Sequence, residues 1–397
     1  MTRRKSRMLV PVSSVTPSTE SVPSKPDDAL TGSDAALVLH QQKASNGAQA
    51  IVKQIAHSNS QDFDALHFQA TRHTLRGEFE KAISLFEKAL GINPDHPVLL
   101  NNFGIALVGM HRYDDALTAY ERAIALRPGY GQAWFHHAVA LHIVRRFEDA
   151  VLSYDKAIAL LPDFADAYNN LGIALRKLHR NEDAVLSYKK AIALKPDYAE
   201  AYFNFGNVLR ALSRYGEALS SYERATTIKP DYANAWNNTG VTLRDLKRYE
   251  EALLSYDKAI ALNPDGIDAY NNRGIVLLDM KRYGDALICF EKALAINPDS
   301  ADPYYNKGMV LKELKRYEEA LTSIERALFL NPNGDLWFGM YVLIKTHLCD
   351  WSDFDHNVQE LAGKIGRNEK AALPFSLLAL IESLSLQKEA SRIYARE

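Results

Sequence analysis

Between residues 165 and 194 two short stretches carry apolar residues at helical spacing. Tyr168, Gly172 and Leu175 mark the first, and Ala184, Val185, Tyr188, Ala191 and Ile192 mark the second. Each set follows the i, i+3, i+4, i+7 rule for a helix with one buried stripe. Pro196 then closes the pair, because proline cannot continue a helix. The pattern predicts a helical hairpin, and it contains an oddity. Asn169 and Asn170 stand side by side in the first helix, where Asn is a poor interior residue because its amide competes for backbone groups.

The hairpin recurs. Pro94, Pro128, Pro162, Pro196, Pro230, Pro264, Pro298 and Pro332 follow one another at intervals of 34 residues. With these prolines at repeat position 32, eight units run 63–96, 97–130, 131–164, 165–198, 199–232, 233–266, 267–300 and 301–334. Position 4 is aromatic in the last six, position 8 is Gly or Ala throughout, and positions 20 and 27 are Ala in all eight. Position 24 reads Phe86, Tyr120, Tyr154, Tyr188, Tyr222, Tyr256, Phe290 and Ile324. A small residue at position 8 lets the second helix (B) approach the first (A), with the position 20 Ala facing it and the aromatics of positions 4 and 24 filling the space beside them. Asp163, Asp197, Asp231 and Asp265 follow the prolines and are placed to cap the next A helix.

This pattern resembles the tetratricopeptide repeat almost position by position. The resemblance implies an all-α, right-handed superhelical α-α solenoid with helical caps, whose A helices line a concave face. Residues 1–33, rich in Ser, Thr and Pro, are expected to be a disordered tail. Residues 34–62 keep traces of the register (Ala36, Leu39, Ala48, Ile55) and read as a degenerate N-terminal capping repeat. After Gly334 the period fails, with Lys345 and Phe354 where Leu and Ala belong, and 335–397 read as a C-terminal cap of three or four helices.

The asparagine at position 6 recurs as Asn102, Asn170, Asn204, Asn238, Asn272 and Asn306, with His136 and Phe68 in the remaining units. At about 100° per residue, position 6 points roughly opposite to core positions 4, 8 and 11. It therefore looks toward the groove, with positions 2, 9 and 13 beside it. Two readings stay open. Each Asn bonds the neighbouring A helix and fixes stacking, or the ladder holds the backbone of an extended peptide, for which an amide has the donors and acceptor. Position 2 is often acidic (Asp166, Glu200, Asp268, Asp302) and position 12 often basic (Arg176, Arg210, Arg244, Lys312). These read first as solvated charges and ion pairs between A helices.

Composition narrows the function. A net charge of −2 and a pI near 6.6 give no electrostatic case for nucleic acid or an anionic membrane. Two cysteines, Cys289 and Cys349, fit a reducing compartment. No apolar run reaches membrane-spanning length. The expectation is a cytoplasmic chain with protein or peptide partners, an undefined oligomeric state, and no cofactor. His136, His137 and His142 cluster in the third unit but are not read as a metal site, and adjacent carboxylates such as Glu250 and Glu251 point apart on a helix. Cys349 reads as a packing residue.

One resemblance is finer. Tandem units written A-Y-x-N-x-G-x-x-L, followed by "HLCDWSDFD" at 347–355, resemble the N-terminal superhelix of O-linked N-acetylglucosamine transferases and the related SPINDLY proteins. The resemblance runs over roughly residues 35–397. It implies that Asn102, Asn170, Asn204, Asn238, Asn272 and Asn306 hold protein substrates by their backbone. It also implies a nucleotide-sugar-binding α/β region after the repeats. This sequence shows no strand-helix alternation and no Gly-rich phosphate loop after a strand, so no catalytic residue is assigned. Three roles stay open: a substrate-recognition part of a transferase, a free-standing adaptor, and an assembly scaffold using the convex face.

Overall fold

The computed structural model describes residues 62–377, 380–381 and 383–395. The expected tail at 1–33 and the capping repeat, apart from Asp62, lie outside the described residues. The chain forms two compact units, one ending at Leu212 and the other beginning at Ser213. The division falls in the turn of the fifth repeat, where the 34-residue period is unbroken.

The first unit holds α1 (Phe63–Leu75), α2 (Phe79–Ile92), α3 (Pro97–Gly109), α4 (Tyr113–Leu126), α5 (Gly131–Ile143), α6 (Phe147–Leu160), α7 (Ala165–Lys177), α8 (Asn181–Leu194) and α9 (Ala199–Ala211). The second holds α10 (Tyr215–Ile228), α11 (Ala233–Asp245), α12 (Tyr249–Leu262), α13 (Ile267–Asp279), α14 (Tyr283–Ile296), α15 (Ala301–Glu313) and α16 (Tyr317–Leu330). It continues with α17 (Trp337–His347), α18 (Phe354–Gly366), α19 (Pro374–Leu377) and α20 (Leu384–Tyr394). Odd-numbered helices from α1 to α15 are A helices and even-numbered ones to α16 are B helices. No strand occurs among the described residues.

Within each unit, successive helices through α17 pack on one another, and successive A helices also touch: α1 with α3, α3 with α5, α5 with α7, α7 with α9, α11 with α13, and α13 with α15. The ring at position 24 is the centre of each hairpin. A Cβ added at Gly104, Gly172, Gly240 or Gly274 would stand 2.5–2.7 Å from the ring of Tyr120, Tyr188, Tyr256 or Phe290. The small residue of position 8 is therefore needed under a ring of its own repeat.

Two local expectations are corrected. The position 4 aromatics are half-buried, not core. Trp134 and Trp236 lie over the preceding turn, where their indole N–H groups donate to the carbonyls of Pro128 (3.0 Å) and Pro230 (2.9 Å). Position 3, Ala in six units, and position 10 from the second unit on are buried in their place. Asp163, Asp197, Asp231 and Asp265 do not cap the A helices. The N-cap residue is one place later (Phe164, Tyr198, Tyr232, Gly266), without a side-chain cap bond. The carboxylates thus stand one residue too early to reach the open N–H groups.

The repeat turn also outlasts the repeat sequence. Position 15 is left-handed in every hairpin: Gly77, His111, Arg145, His179, Ser213, Lys247, Lys281 and Lys315 have φ between 58° and 74°. The N–H of position 16 bonds the carbonyl of position 11, as in Arg112 to Leu107 at 2.9 Å, which closes a Schellman motif. Cys349, one period further on, has φ 54°, and the Asp350 N–H bonds the Lys345 carbonyl at 3.0 Å. So α17 ends like an A helix even though Lys345 replaces Leu at position 11. Its side chain is buried while its ammonium reaches Asp350 (3.0 Å) and Asp353 (3.5 Å). The Asp350 bond holds the ammonium above its ordinary pKa. The Ser352 hydroxyl and N–H, with Lys345, hold the Asp350 carboxyl down to about 2. Behind this turn, Val342, Leu361, Ile365, Leu377 and Ile393 share one apolar cluster.

Candidate functional site: the face of the A helices

The paired asparagines meet at the contact between consecutive A helices. In the second unit, Asn272 Nδ2 donates to Asn237 Oδ1 (3.1 Å), and Asn306 Nδ2 donates to Asn271 Oδ1 (2.8 Å). Asn237 passes its own N–H to Asn238 Oδ1 at 3.2 Å. Position 6 of one repeat is thus bonded to position 5 of the repeat before it. In the first unit Asn204 donates to Asn169 (3.1 Å), Asn169 to Asn170 (3.2 Å), and Asn101 to Asn102 (3.2 Å). Asn102 Nδ2 in turn donates to His67 Nε2 at 3.2 Å.

Where position 5 is not Asn, the partner changes. Phe135 offers no acceptor, and the Asn170 amide donates to the Tyr154 hydroxyl instead. His136 takes the place of Asn at position 6, and its Nδ1–H donates to Asn101 Oδ1 at 2.8 Å. Its ring lies against Tyr120, whose buried hydroxyl has no hydrogen-bond partner among the described residues. Burial with no charged partner pushes His136 down to about 3. His142, on the same helix, is lowered to about 4, first by burial and then by Lys177 and Arg176. His137 turns to the B side, bonding Ser153 Oγ at 3.1 Å. Among the described residues no group of three or more His, Cys, Asp or Glu could hold a metal ion.

The six position 6 asparagines are not equally accessible. Asn102 and Asn170 are 1% and 4% exposed, whereas Asn204, Asn238, Asn272 and Asn306 are half-buried. In α13 and α15 some amide valences stay open: Asn271 Nδ2, Asn272 Oδ1 and Asn306 Oδ1 carry no hydrogen bond among the described residues. Position 9 beside them is apolar and half-buried (Val241, Ile275, Met309). Tyr305, at position 5 of α15, stacks on Trp337 at 5.1 Å.

Sequence reasoning missed two devices. Arg273 and Lys307 replace an apolar residue at position 7 and reach back to the preceding B helix. Arg273 pairs with Asp257 (2.8 Å) and Lys307 with Glu291 (3.0 Å). Arg at position 16 pairs with the acid at position 19 in seven hairpins, from Arg112–Asp115 to Arg316–Glu319. The sevenfold Arg at a fixed place was the signal that could have revealed the second. Arg244 pairs across to the next A helix, with Asp279 at position 13 and not with the acid of position 2, at 2.7 Å.

These features define, within each unit, an array of two-helix repeats whose consecutive A helices are joined by side-chain amides. The chain belongs to the tetratricopeptide-repeat proteins. Models described as TPR repeat or tetratricopeptide repeat match residues 61–129, 101–163, 153–185, 173–210, 206–243, 240–281, 267–300 and 289–322. No curated protein matches the chain. Among solved structures, YrrB, described as a TPR protein with an unusual peptide-binding site, is similar at 29% identity. That match covers 46% of this chain and 95% of that one, with a TM-score of 0.41. A structure of MamA is similar at 23% identity, covering 42% of this chain and 96% of that one, with a TM-score of 0.39. PilF of Pseudomonas aeruginosa is similar at 22% identity, covering 59% and 97%, with a TM-score of 0.46. Tetratricopeptide arrays are in general scaffolds for binding other proteins. No helix among the described residues is long and apolar enough to cross a membrane.

Proposed function

We propose that this protein is a protein–protein interaction module that holds extended peptide segments on the face of its A helices, gripping their backbone through side-chain amides. The observation that supports the reading is the set of half-buried asparagines whose amides are only partly used by stacking. Asn272 and Asn306 each spend one N–H on the preceding repeat and keep Oδ1 open. An open acceptor beside an open donor at Asn271 suits the alternating N–H and C=O of an extended chain. Asn204 and Asn238 are half-buried in the same way. Asn102 and Asn170 lie deeper, and their part in the proposal is to hold neighbouring helices in register.

The test is fluorescence anisotropy of labelled extended peptides on the full chain. Replacing Asn238, Asn272 and Asn306 together by Ala is expected to weaken binding by at least about tenfold, since each lost bond is worth about 0.5–1.5 kcal/mol. Unchanged affinity in a folded variant overturns the reading. A finer form, that the bound segments are substrates of a protein O-GlcNAc transferase, is supported by the likeness at residues 347–355. Transfer to a peptide when the chain is combined with UDP-GlcNAc and a separate catalytic region is its test. Transfer that is independent of the asparagines would end it.

A further inference from the structure

In the second unit, position 12 of one A helix meets position 13 of the next, and the slot holds an ion pair, Arg244 with Asp279 at 2.7 Å. The first unit fills the same slot with like charges. His142 is at position 12 of α5 and Lys177 at position 13 of α7, and these two helices touch. Arg176, at position 12 of α7, finds Ala211 at position 13 of the next helix, where a carboxylate would be needed. Arg145 follows His142 into the left-handed turn of its hairpin, with φ 66°. Lys177 is held below its ordinary pKa, first by desolvation and then by Arg176 and Arg145. The same Lys177 and Arg176 act on His142, after its burial. The four side chains thus form one basic cluster across the C-terminal ends of α5 and α7.

No acid of the surrounding elements neutralises it. Helix α5 carries none, and Asp166 of α7 stands in the first turn, at the opposite end. In the adjoining turns Asp149 is held by Arg146 (2.8 Å) and Asp183 by Arg180 (2.8 Å). Arg145, Arg176 and Lys177 form no ion pair among the described residues. Arg145 and Lys177 are exposed, and Arg176 is half-buried beside the Tyr188 hydroxyl. A helix C-terminus does favour a cation, but each end supplies only about half a negative charge. Two helix ends therefore leave three full positive charges under-compensated on one accessible spot.

We propose that this cluster binds a phosphorylated side chain on a segment of a partner protein, with Arg145, Arg176 and Lys177 donating to the phosphate oxygens. A phosphate monoester brings roughly −1.5 to −2 charge and three acceptor oxygens, which matches three cations better than a single carboxylate does. Arg adds a planar fork suited to two of those oxygens. One patch of three cations fits one phosphate and not the continuous charge of a nucleic acid, about one per 1.7 Å of duplex. The residues all belong to the first unit, and the inference does not rest on the asparagine groove of α11, α13 and α15.

The experiment measures anisotropy of three labelled peptides of about twelve residues on one Ser/Ala/Gly backbone, with phosphoserine, Glu or Ser at the centre, on the full chain. The phosphoserine peptide is expected to bind about tenfold or more tighter than the Ser peptide, with Glu between them and the advantage shrinking as salt rises. Combining Arg145→Ser with Lys177→Asp is expected to bring the phosphoserine peptide down to the Ser value. Both new residues already occupy these positions in other repeats, as Ser213 and Asp279. Equal affinity for the phosphoserine and Ser peptides overturns the inference, as does a folded double variant that binds the phosphoserine peptide unchanged. Inorganic phosphate that competes as strongly as the phosphopeptide overturns the partner segment in favour of a free-phosphate site. A labelled single-stranded RNA that binds more tightly than the phosphopeptide, and is lost in the same variant, overturns it in favour of nucleic acid. The peptide comparison on the unmodified chain decides the matter even if the double variant does not fold.

Discussion

The two units use the same hairpin but finish its A-helix face differently. In the first, the amide contacts run mostly through buried groups, His67, Asn101, Asn102, His136, Asn169 and Asn170, with only Asn204 in the last helix of the unit half-buried. Position 9 there is mostly buried too (Thr71, Ile105, Val139, Ile173). In the second, Asn237, Asn238, Asn271, Asn272 and Asn306 are half-buried, as is the apolar row beside them. A buried amide must be satisfied within the protein, whereas a half-buried one has a valence to offer. The same residue type thus serves as an internal fastener in one unit and as a contact surface in the other.

The largest effects should be blind to this difference, because both units rest on the ring over the glycine. Tyr188→Ala and Tyr256→Ala are each expected to cost about 3–5 kcal/mol through the cavity left behind. Hydrogen exchange should show the lost protection in the affected repeat, and a marked inequality between the two variants would mean that the cores are not equivalent.

Acid should separate the units next. His136 and His142 are held near 3 and 4 in the folded state, against 6.5 for the free side chain. Between those values the unfolded chain binds protons that the folded chain does not. Stability therefore falls as pH drops below 6.5, by up to about 1.4 kcal/mol per pH unit for each histidine. Helices α11, α13 and α15 contain no histidine, so loss of exchange protection on acidification is expected to begin around α5. His136→Asn should blunt it and give the Tyr120 hydroxyl a partner. A His136→Asn protein with an unchanged pH profile would remove His136 as the cause.

Asparagine replacements sharpen the contrast. Asn169→Ala strands buried partners and is expected to cost about 1–3 kcal/mol, while Asn271→Ala, half-buried, is expected to cost about 1 kcal/mol or less. Equal costs in urea unfolding would erase the distinction between fastener and contact surface. The smallest effect should come from the exposed turn pairs. Arg180→Ala and Arg248→Ala are each expected to change stability by less than about 1 kcal/mol, and salt should shrink even that.

Much of the fold was legible. Eight prolines in strict period, with Ala at positions 20 and 27, leave no arrangement of this chain except repeated helical hairpins. The place of the second asparagine was only half legible. Helical geometry correctly removed Asn170 from the face toward its own B helix, but direction alone could not tell an open groove from a neighbouring helix. That depends on how closely α5 approaches α7. The caps were misread because the A helix starts after the residue at position 34, a boundary that sequence places no better than within a residue or two. The left-handed turn residue at position 15 was invisible, since Gly77 alone among the eight repeat turns carries the glycine that would announce it.

What the sequence determined by itself, then, was the repeat, its length, and which letters sit under the ring, because these follow from contacts within 34 residues. Only the tertiary structure decided what the paired asparagines touch. Their partners lie 35 residues away on the next A helix, and the spacing of those helices fixes whether an amide is consumed in stacking or left facing outward. The same spacing leaves Asn170 sealed in its contact, while Asn272 keeps an acceptor open.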